Sequence, residues 1–224
     1  GRMSNPSIMK LQIAPLRVEL GKDAEWLYLE APLLWEAVDG MPADLFRPGD
    51  PPMEPSEFEL RVAKGQPFRR WFIIDPATDE DPEVQKYRFG NQAVEHLRSY
   101  LASEGPIDVI LSFSQASNVV SMLVHTLQRE GLTPTWRLSV FFCGGRPRDP
   151  AYIAEEPSAQ PTVRVWGGLH DPFFPGGEPS LQPLYTNVLE LEHGDGHGFP
   201  STQPRAGEVY AHVAREIRSR CQGC

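Results

Sequence analysis

Gly105-Pro106-Ile107-Asp108-Val109-Ile110-Leu111-Ser112-Phe113-Ser114-Gln115-Ala116-Ser117-Asn118-Val119-Val120-Ser121-Met122-Leu123-Val124-His125 is the stretch from which the fold of this chain is read. Ile107 to Leu111 is a short, β-branched apolar run opened by Gly105-Pro106, the pattern of a buried strand. From Asn118 to Leu127 the apolar residues Val119, Met122, Leu123 and Leu127 recur at helical spacing. Between the two lies Ser114, with the small residues Ser112 and Ala116 two positions to either side. That is the outline of a nucleophile elbow, a strand-to-helix turn so tight that its flanks must be small and the serine hydroxyl stands above the sheet edge. Glycine is the usual residue at both flanks, so Ser112 and Ala116 leave an ordinary strand-to-helix turn open as the alternative.

Outward from this unit the chain alternates between the two periods. Residues 7 to 20 carry Ile8, Met9, Ile13, Leu16 and Leu20 near helical spacing, with Pro15 expected to kink or divide the helix. Trp26 to Leu29 reads as a strand ended at Ala31-Pro32. Asn91 to Ala102 reads as a helix with Ala93, Val94, Leu97 and Leu101 on one face. Arg137 to Phe142 reads as another buried strand, Thr162 to Trp166 and Asn187 to Leu191 as strands, and about 204 to 219 as a last helix whose Arg215, Arg218 and Arg220 suit its C-terminal dipole. Strands alternating with helices imply an α/β fold, a mostly parallel sheet with helices on both faces. The stretch 33 to 83 departs from this pattern. It is rich in proline, notably Arg47-Pro48-Gly49-Asp50-Pro51-Pro52 and Asp79-Glu80-Asp81-Pro82, yet holds Trp35, Phe46, Phe58, Phe68, Trp71 and Phe72. A bare linker lacks such aromatics, so a lid-like segment over a site is expected.

At 224 residues the chain suits one α/β domain, and 40% apolar with 10% aromatic residues is a globular composition. No apolar run approaches the roughly 20 residues that span a bilayer. A net charge of −9 without basic clusters argues against nucleic acid or an anionic membrane as partner. Cys143, Cys221 and Cys224 are too few and too badly spaced for a disulfide framework. Cys143 is expected to be a buried thiol, and Cys221-x-x-Cys224 a frayed tail without a second pair for zinc. With no signal peptide visible, the reducing cytoplasm is the default compartment.

In an open parallel sheet reactive groups gather at the C-terminal ends of the strands. Three strands here end near Ser114, near Asp171 in Gly167-Gly168-Leu169-His170-Asp171, and near His197 in His193-Gly194-Asp195-Gly196-His197-Gly198. The chain order Ser, Asp, His is that of α/β-hydrolases. The chemistry needs each type: a serine hydroxyl is a weak nucleophile until an imidazole takes its proton, and a carboxylate fixes the imidazole tautomer. His-x-Asp-x-His offers a metal-binding alternative through His193, Asp195 and His197. His170 is a competing base, and Asp195 or Asp149 competing acids. His96, His125 and His212 fall in expected helices as surface or satisfied histidines.

Residues 105 to 116 resemble the strand-and-elbow signature of the FSH family of serine hydrolases. Trp166-Gly167-Gly168-Leu169-His170-Asp171 is similar to that family's G-x-x-D segment, and His193 to Pro200 to its H-x-x-G-H-x-x-P; Leu16-Arg17, Ala31-Pro32, Trp71 and Tyr87 also fall into place. The resemblance covers nearly the whole chain. It implies an α/β-hydrolase fold and hydrolysis of small-molecule carboxylic esters or thioesters, without cofactor or metal, by Ser114, His197 and Asp171. It also implies an oxyanion hole formed by the backbone N–H groups of Gln115 and Arg2. The family opens with an apolar strand beside the nucleophile strand, and the sequence begins where that strand would end; a fragment is the expectation. Ser112 and Ala116 leave a non-catalytic ligand-binding or interaction module as the rival reading, with a metal-dependent hydrolase as a third.

Overall fold

The computed structural model describes residues 3–35, 55–75, 84–174, 177 and 179–221. Two short helices open it, α1 (Pro6–Gln12) and α2 (Ala14–Leu20). They are one periodic stretch divided at Ile13, because Pro15 sits in the first turn of α2, where its missing N–H costs nothing. Asn5 caps α1 by accepting from the Ile8 N–H at 3.1 Å.

The described parts of the 33–83 stretch are β1 (Leu33–Leu34), α3 (Glu57–Ala63), β2 (Arg69–Arg70) and β3 (Ile73–Ile74). β1 pairs with β2, and β3 with β4 (Tyr87–Arg88), each antiparallel. A capping box between Ser56 and Glu59 starts α3. Trp71 and Phe72 lie in the core, whereas Phe58 is exposed; Phe46 and the two proline-rich runs lie outside the described residues.

The body of the fold follows. α4 (Gly90–Glu104), β5 (Val109–Phe113), α5 (Gln115–Arg129), β6 (Leu138–Phe142), β7 (Thr162–Trp166), β8 (Val188–Glu192) and α6 (Arg205–Cys221) come in that order. The four strands form one parallel sheet in the order β5-β6-β7-β8. The strand in the elbow unit begins two residues later than its apolar run and continues to Phe113, because pairing with β6 runs to Phe142. Alternation along β6 divides the core: Leu138, Val140 and Phe142 meet α2 and α6 on one face, and Phe141 meets the α4 and α5 side on the other. This is the α/β architecture expected, with helices on both faces. No helix among the described residues is long and apolar enough to cross a membrane.

Two expectations need correction. Trp26 to Leu29 belongs to no strand. Trp26 and Leu29 still feed opposite core clusters, as strand residues would. Across from them lies the outer edge of β5, and a cavity of about 900 Å³ separates the two, so no ladder forms. This cavity runs along the sheet edge and Ser114 does not line it.

The second correction is His125. It is fully buried on α5 against Tyr185, and neither ring nitrogen has a hydrogen-bond partner among the described residues. Burial, with help from the Arg129 charge, pushes its pKa down from 6.5 to about 4. The unfolded chain therefore binds this proton first as pH falls. Stability declines through the window from about 6.5 to about 4, by roughly 3 kcal/mol in total. His125→Leu keeps the packing and removes the titration. Its urea midpoint is expected to fall less than that of the parent between neutral pH and about pH 5; parallel declines would contradict the assignment.

Candidate active site

The site begins with the turn between β5 and α5. Ser114 has φ 53° and ψ −121°, a left-handed conformation that strains any residue but glycine, and its N–H donates to Phe142 O at 2.8 Å. The elbow outline is therefore present. Ser112 fits at its flank because its hydroxyl turns inward, donating to Ser117 Oγ at 3.1 Å. Ala116 packs against the core on the other side. The loop after β6 also comes close: a Cβ on Gly144 would stand 2.6 Å from Ser114 O, so only glycine permits this approach.

Gln115 does more than follow the serine. Its buried side chain accepts from the Trp71 N–H at 2.8 Å and donates to Phe72 O at 3.0 Å. The amide thus pairs with a backbone segment as another strand would. That segment is tied onward, since Arg69 and Ser4 exchange backbone hydrogen bonds of 3.0 and 3.3 Å. Gln115→Met keeps the volume and removes both bonds. It is expected to destabilise the fold by about 2–3 kcal/mol, because two buried backbone groups lose their partners, read as a lowered urea midpoint; an unchanged midpoint would contradict this role.

Asp171 and His197 arrive on two loops pressed together. Gly196 donates to Gly167 O at 3.0 Å, and a Cβ on Gly167 would stand 1.9 Å from Gly196 O. The carboxylate of Asp171 is fully buried, accepts from the Phe173 N–H at 2.9 Å, and lies 2.8 Å from His197 Nδ1. His197 Nε2 lies 2.9 Å from Ser114 Oγ. A carboxylate only accepts, so Nδ1 carries the proton and Nε2 is left to accept from the serine hydroxyl. The imidazole side chain is 11% exposed and flanked by the rings of Phe173, Phe113 and Phe174, at centroid distances of 4.4, 5.4 and 6.2 Å. An imidazole oriented in this way, in apolar surroundings, can move a proton between a hydroxyl and a leaving group.

The competing residues are placed elsewhere. Asp195 accepts from the Ser201 and Thr202 N–H groups at 2.7 and 3.0 Å, and these bonds hold its carboxyl well below the usual range. It fastens the histidine loop to the approach of α6. Asp149 accepts from the Lys86 ammonium and the Tyr87 and Ala151 N–H groups. His193 is buried, accepts from the Asp195 N–H at 3.1 Å and has Nε2 3.8 Å from Cys143 Sγ; burial lowers its pKa. His170 is exposed, His96 meets Glu30 O and His212 stands 3.9 Å from Glu216. His193 Nδ1 and Asp195 Oδ2 thus stand 3.8 Å apart, while His197 turns away to Asp171 and Ser114. Among the described residues, the donors that do converge are Cys143, Asp171 and His197, one atom of each lying within 4.8 Å of the others. Arg2 lies outside the described residues.

Sequence reasoning did not foresee the amide clamp of Gln115 or the rings of Phe173 and Phe174. A long polar residue opening an apolar buried helix signals the first, and aromatics two and three positions past the expected acid signal the second.

Comparison with known proteins places the chain in a family. The family described as Serine hydrolase (FSH1) matches residues 1–209. Esterase FUS5 of Gibberella fujikuroi is 28% identical over 205 residues, covering 90% of this chain and 78% of that protein. Esterase FUS5 of Gibberella moniliformis is 27% identical over 222 residues, covering 98% and 85%. Esterase GA18864 of Drosophila pseudoobscura pseudoobscura is 30% identical over 104 residues, covering 45% and 35%.

Proposed function

The chain belongs to the FSH1 family of serine hydrolases, an α/β-hydrolase and an esterase by family, and from that premise we propose that it cleaves ester or thioester bonds of a small acyl substrate through Ser114, His197 and Asp171. The observation that carries this reading is the hydrogen-bonded chain from Ser114 Oγ through His197 to Asp171, with distances of 2.9 and 2.8 Å.

The reaction follows from the groups present. As Ser114 Oγ attacks the substrate carbonyl carbon, its proton passes to His197 Nε2. The imidazolium is stabilised by the Asp171 carboxylate. The carbonyl oxygen becomes an oxyanion at the N-terminus of α5, where the Gln115 N–H donates to it; Arg2 is the second donor that the family resemblance implies. Collapse expels the alkoxide or thiolate, which leaves with the proton from Nε2. Water, deprotonated by the same nitrogen, then attacks the acyl-serine ester, and the acid is released as the proton on Nε2 returns to Ser114 Oγ. The phenylalanines around His197 favour an apolar acyl or leaving group at this mouth.

Acid-quenched mixing with matched p-nitrophenyl esters and acyl thioesters of increasing chain length tests the proposal. An acyl adduct is expected on the peptide containing Ser114, and its rate of formation ranks ester against thioester. Turnover of these substrates with an adduct elsewhere, or with none under any quench time, contradicts it.

A further inference from the structure

Among the described residues the donors of the His-x-Asp-x-His motif do not converge as a set of three, yet its second histidine lies in a different cluster of metal-binding side chains. Cys143 follows β6, Asp171 follows β7 and His197 follows β8, so three adjacent strand ends deliver a thiol, a carboxylate and an imidazole to one place. One donor atom of each lies within 4.8 Å of the others. In a tetrahedral zinc site neighbouring ligand atoms stand about 3–4 Å apart, so shifts of an ångström or less would close this one. Cys143 and Asp171 are each only 1% exposed, and the partly exposed edge of His197 gives the way in. A fourth donor is near: His193 Nε2 is 3.8 Å from Cys143 Sγ.

We propose that Cys143, Asp171 and His197 form an inhibitory site for a thiophilic divalent cation such as Zn²⁺. The inhibition rests on the hydrolase reading above; the binding does not. Charge favours it, because a dication held by one thiolate and one carboxylate is neutral overall in a buried place. The thiol proton goes to solvent on binding. Loss of activity follows from tautomer chemistry. A cation on His197 Nδ1, the nitrogen 2.8 Å from Asp171, displaces the proton there, and the neutral ring then carries its proton on Nε2. Nε2–H cannot accept from Ser114, so the base is switched off without any ligand touching the serine. The fourth position goes to water, or to His193 once its own proton moves to Nδ1.

Two measurements together test this. Titration of the apo protein with Co²⁺ is expected to produce a thiolate-to-cobalt charge-transfer absorption in the near ultraviolet, displaced by Zn²⁺. The same band is expected in Ser114→Ala, which keeps all three donors, so this result is independent of catalysis. Cys143→Ala and, as a second variant, Cys143→Ser are both expected to lack the band. Zn²⁺ is expected to inhibit ester hydrolysis by the parent protein, reversibly with chelator, each rate being divided by that of the same protein in chelator. Removing the thiol ligand should raise the half-inhibiting concentration by more than about tenfold, the least that loss of even a partner behind a ligand costs. Absence of the band from both the parent and Ser114→Ala overturns the site. Equal zinc sensitivity in the parent and whichever cysteine variant folds overturns the role of Cys143. A band in a protein whose hydrolysis ignores Zn²⁺ overturns the inhibitory claim alone, and a band in a protein without esterase activity indicts the hydrolase reading rather than the site.

Discussion

Ser114→Ala is expected to reduce kcat for ester hydrolysis by about 10⁴- to 10⁶-fold, while the protein stays folded with a Tm within a few degrees of the parent. The size follows from the absence of a substitute. Ser112, the nearest other hydroxyl in the turn, is buried and committed to Ser117 Oγ and Val140 O at 3.1 and 3.4 Å. Stability is spared because the hydroxyl lost is the one that meets His197 Nε2 at the strand ends and joins no core network. Alanine inherits the left-handed backbone that serine already holds, at φ 53°, so the strain of the turn is unchanged. Steady-state assay with active-site-free controls measures the loss. Activity retained within about tenfold would mean that the bond to His197 has no chemical role.

Asp171→Asn is the second large effect, a loss of about 10⁴ in kcat with the fold retained. The carboxamide has nearly the same shape, and its oxygen can keep the bond from the Phe173 N–H, 2.9 Å in the parent. Its NH₂ group then faces His197 Nδ1 as a donor. That forces the imidazole proton onto Nε2, where it opposes the Ser114 hydroxyl, and no carboxylate remains to stabilise an imidazolium. Circular dichroism and the urea midpoint separate this tautomer effect from unfolding. A loss smaller than about tenfold in a folded Asp171→Asn protein would show that the carboxylate does not orient the base.

Much of this was legible in the residues because it depends on local pattern. The helical spacing of Val119, Met122, Leu123 and Leu127 gave α5, and short apolar or alternating stretches gave β6, β7 and β8 to within a residue at each end. Ser114, Asp171 and His197 stood out because each follows a strand and parallel strands deliver their ends to one edge. What escaped depends on partners distant in the chain. Trp26 to Leu29 has a strand's short apolar composition, but a ladder needs a neighbour, and a cavity lies where that neighbour would be. His125 looks like any helical histidine until the packing of Tyr185 over it is known. Gln115 reaches Trp71 and Phe72 across more than 40 positions of sequence, which no local window contains. An elbow needs small flanks, and whether serine serves depends on where its hydroxyl can turn. Ser117 decided that.

Covalent labelling by a fluorophosphonate, read by mass spectrometry of the intact chain and its peptides, tests the central claim most directly. The reagent reports an activated serine without requiring the right acyl group. One adduct per chain is expected on Ser114, absent from Ser114→Ala and much slowed in Asp171→Asn. An unlabelled Ser114 in a folded protein that nevertheless hydrolyses esters, or a label that persists in Ser114→Ala at the parent's rate, would contradict it.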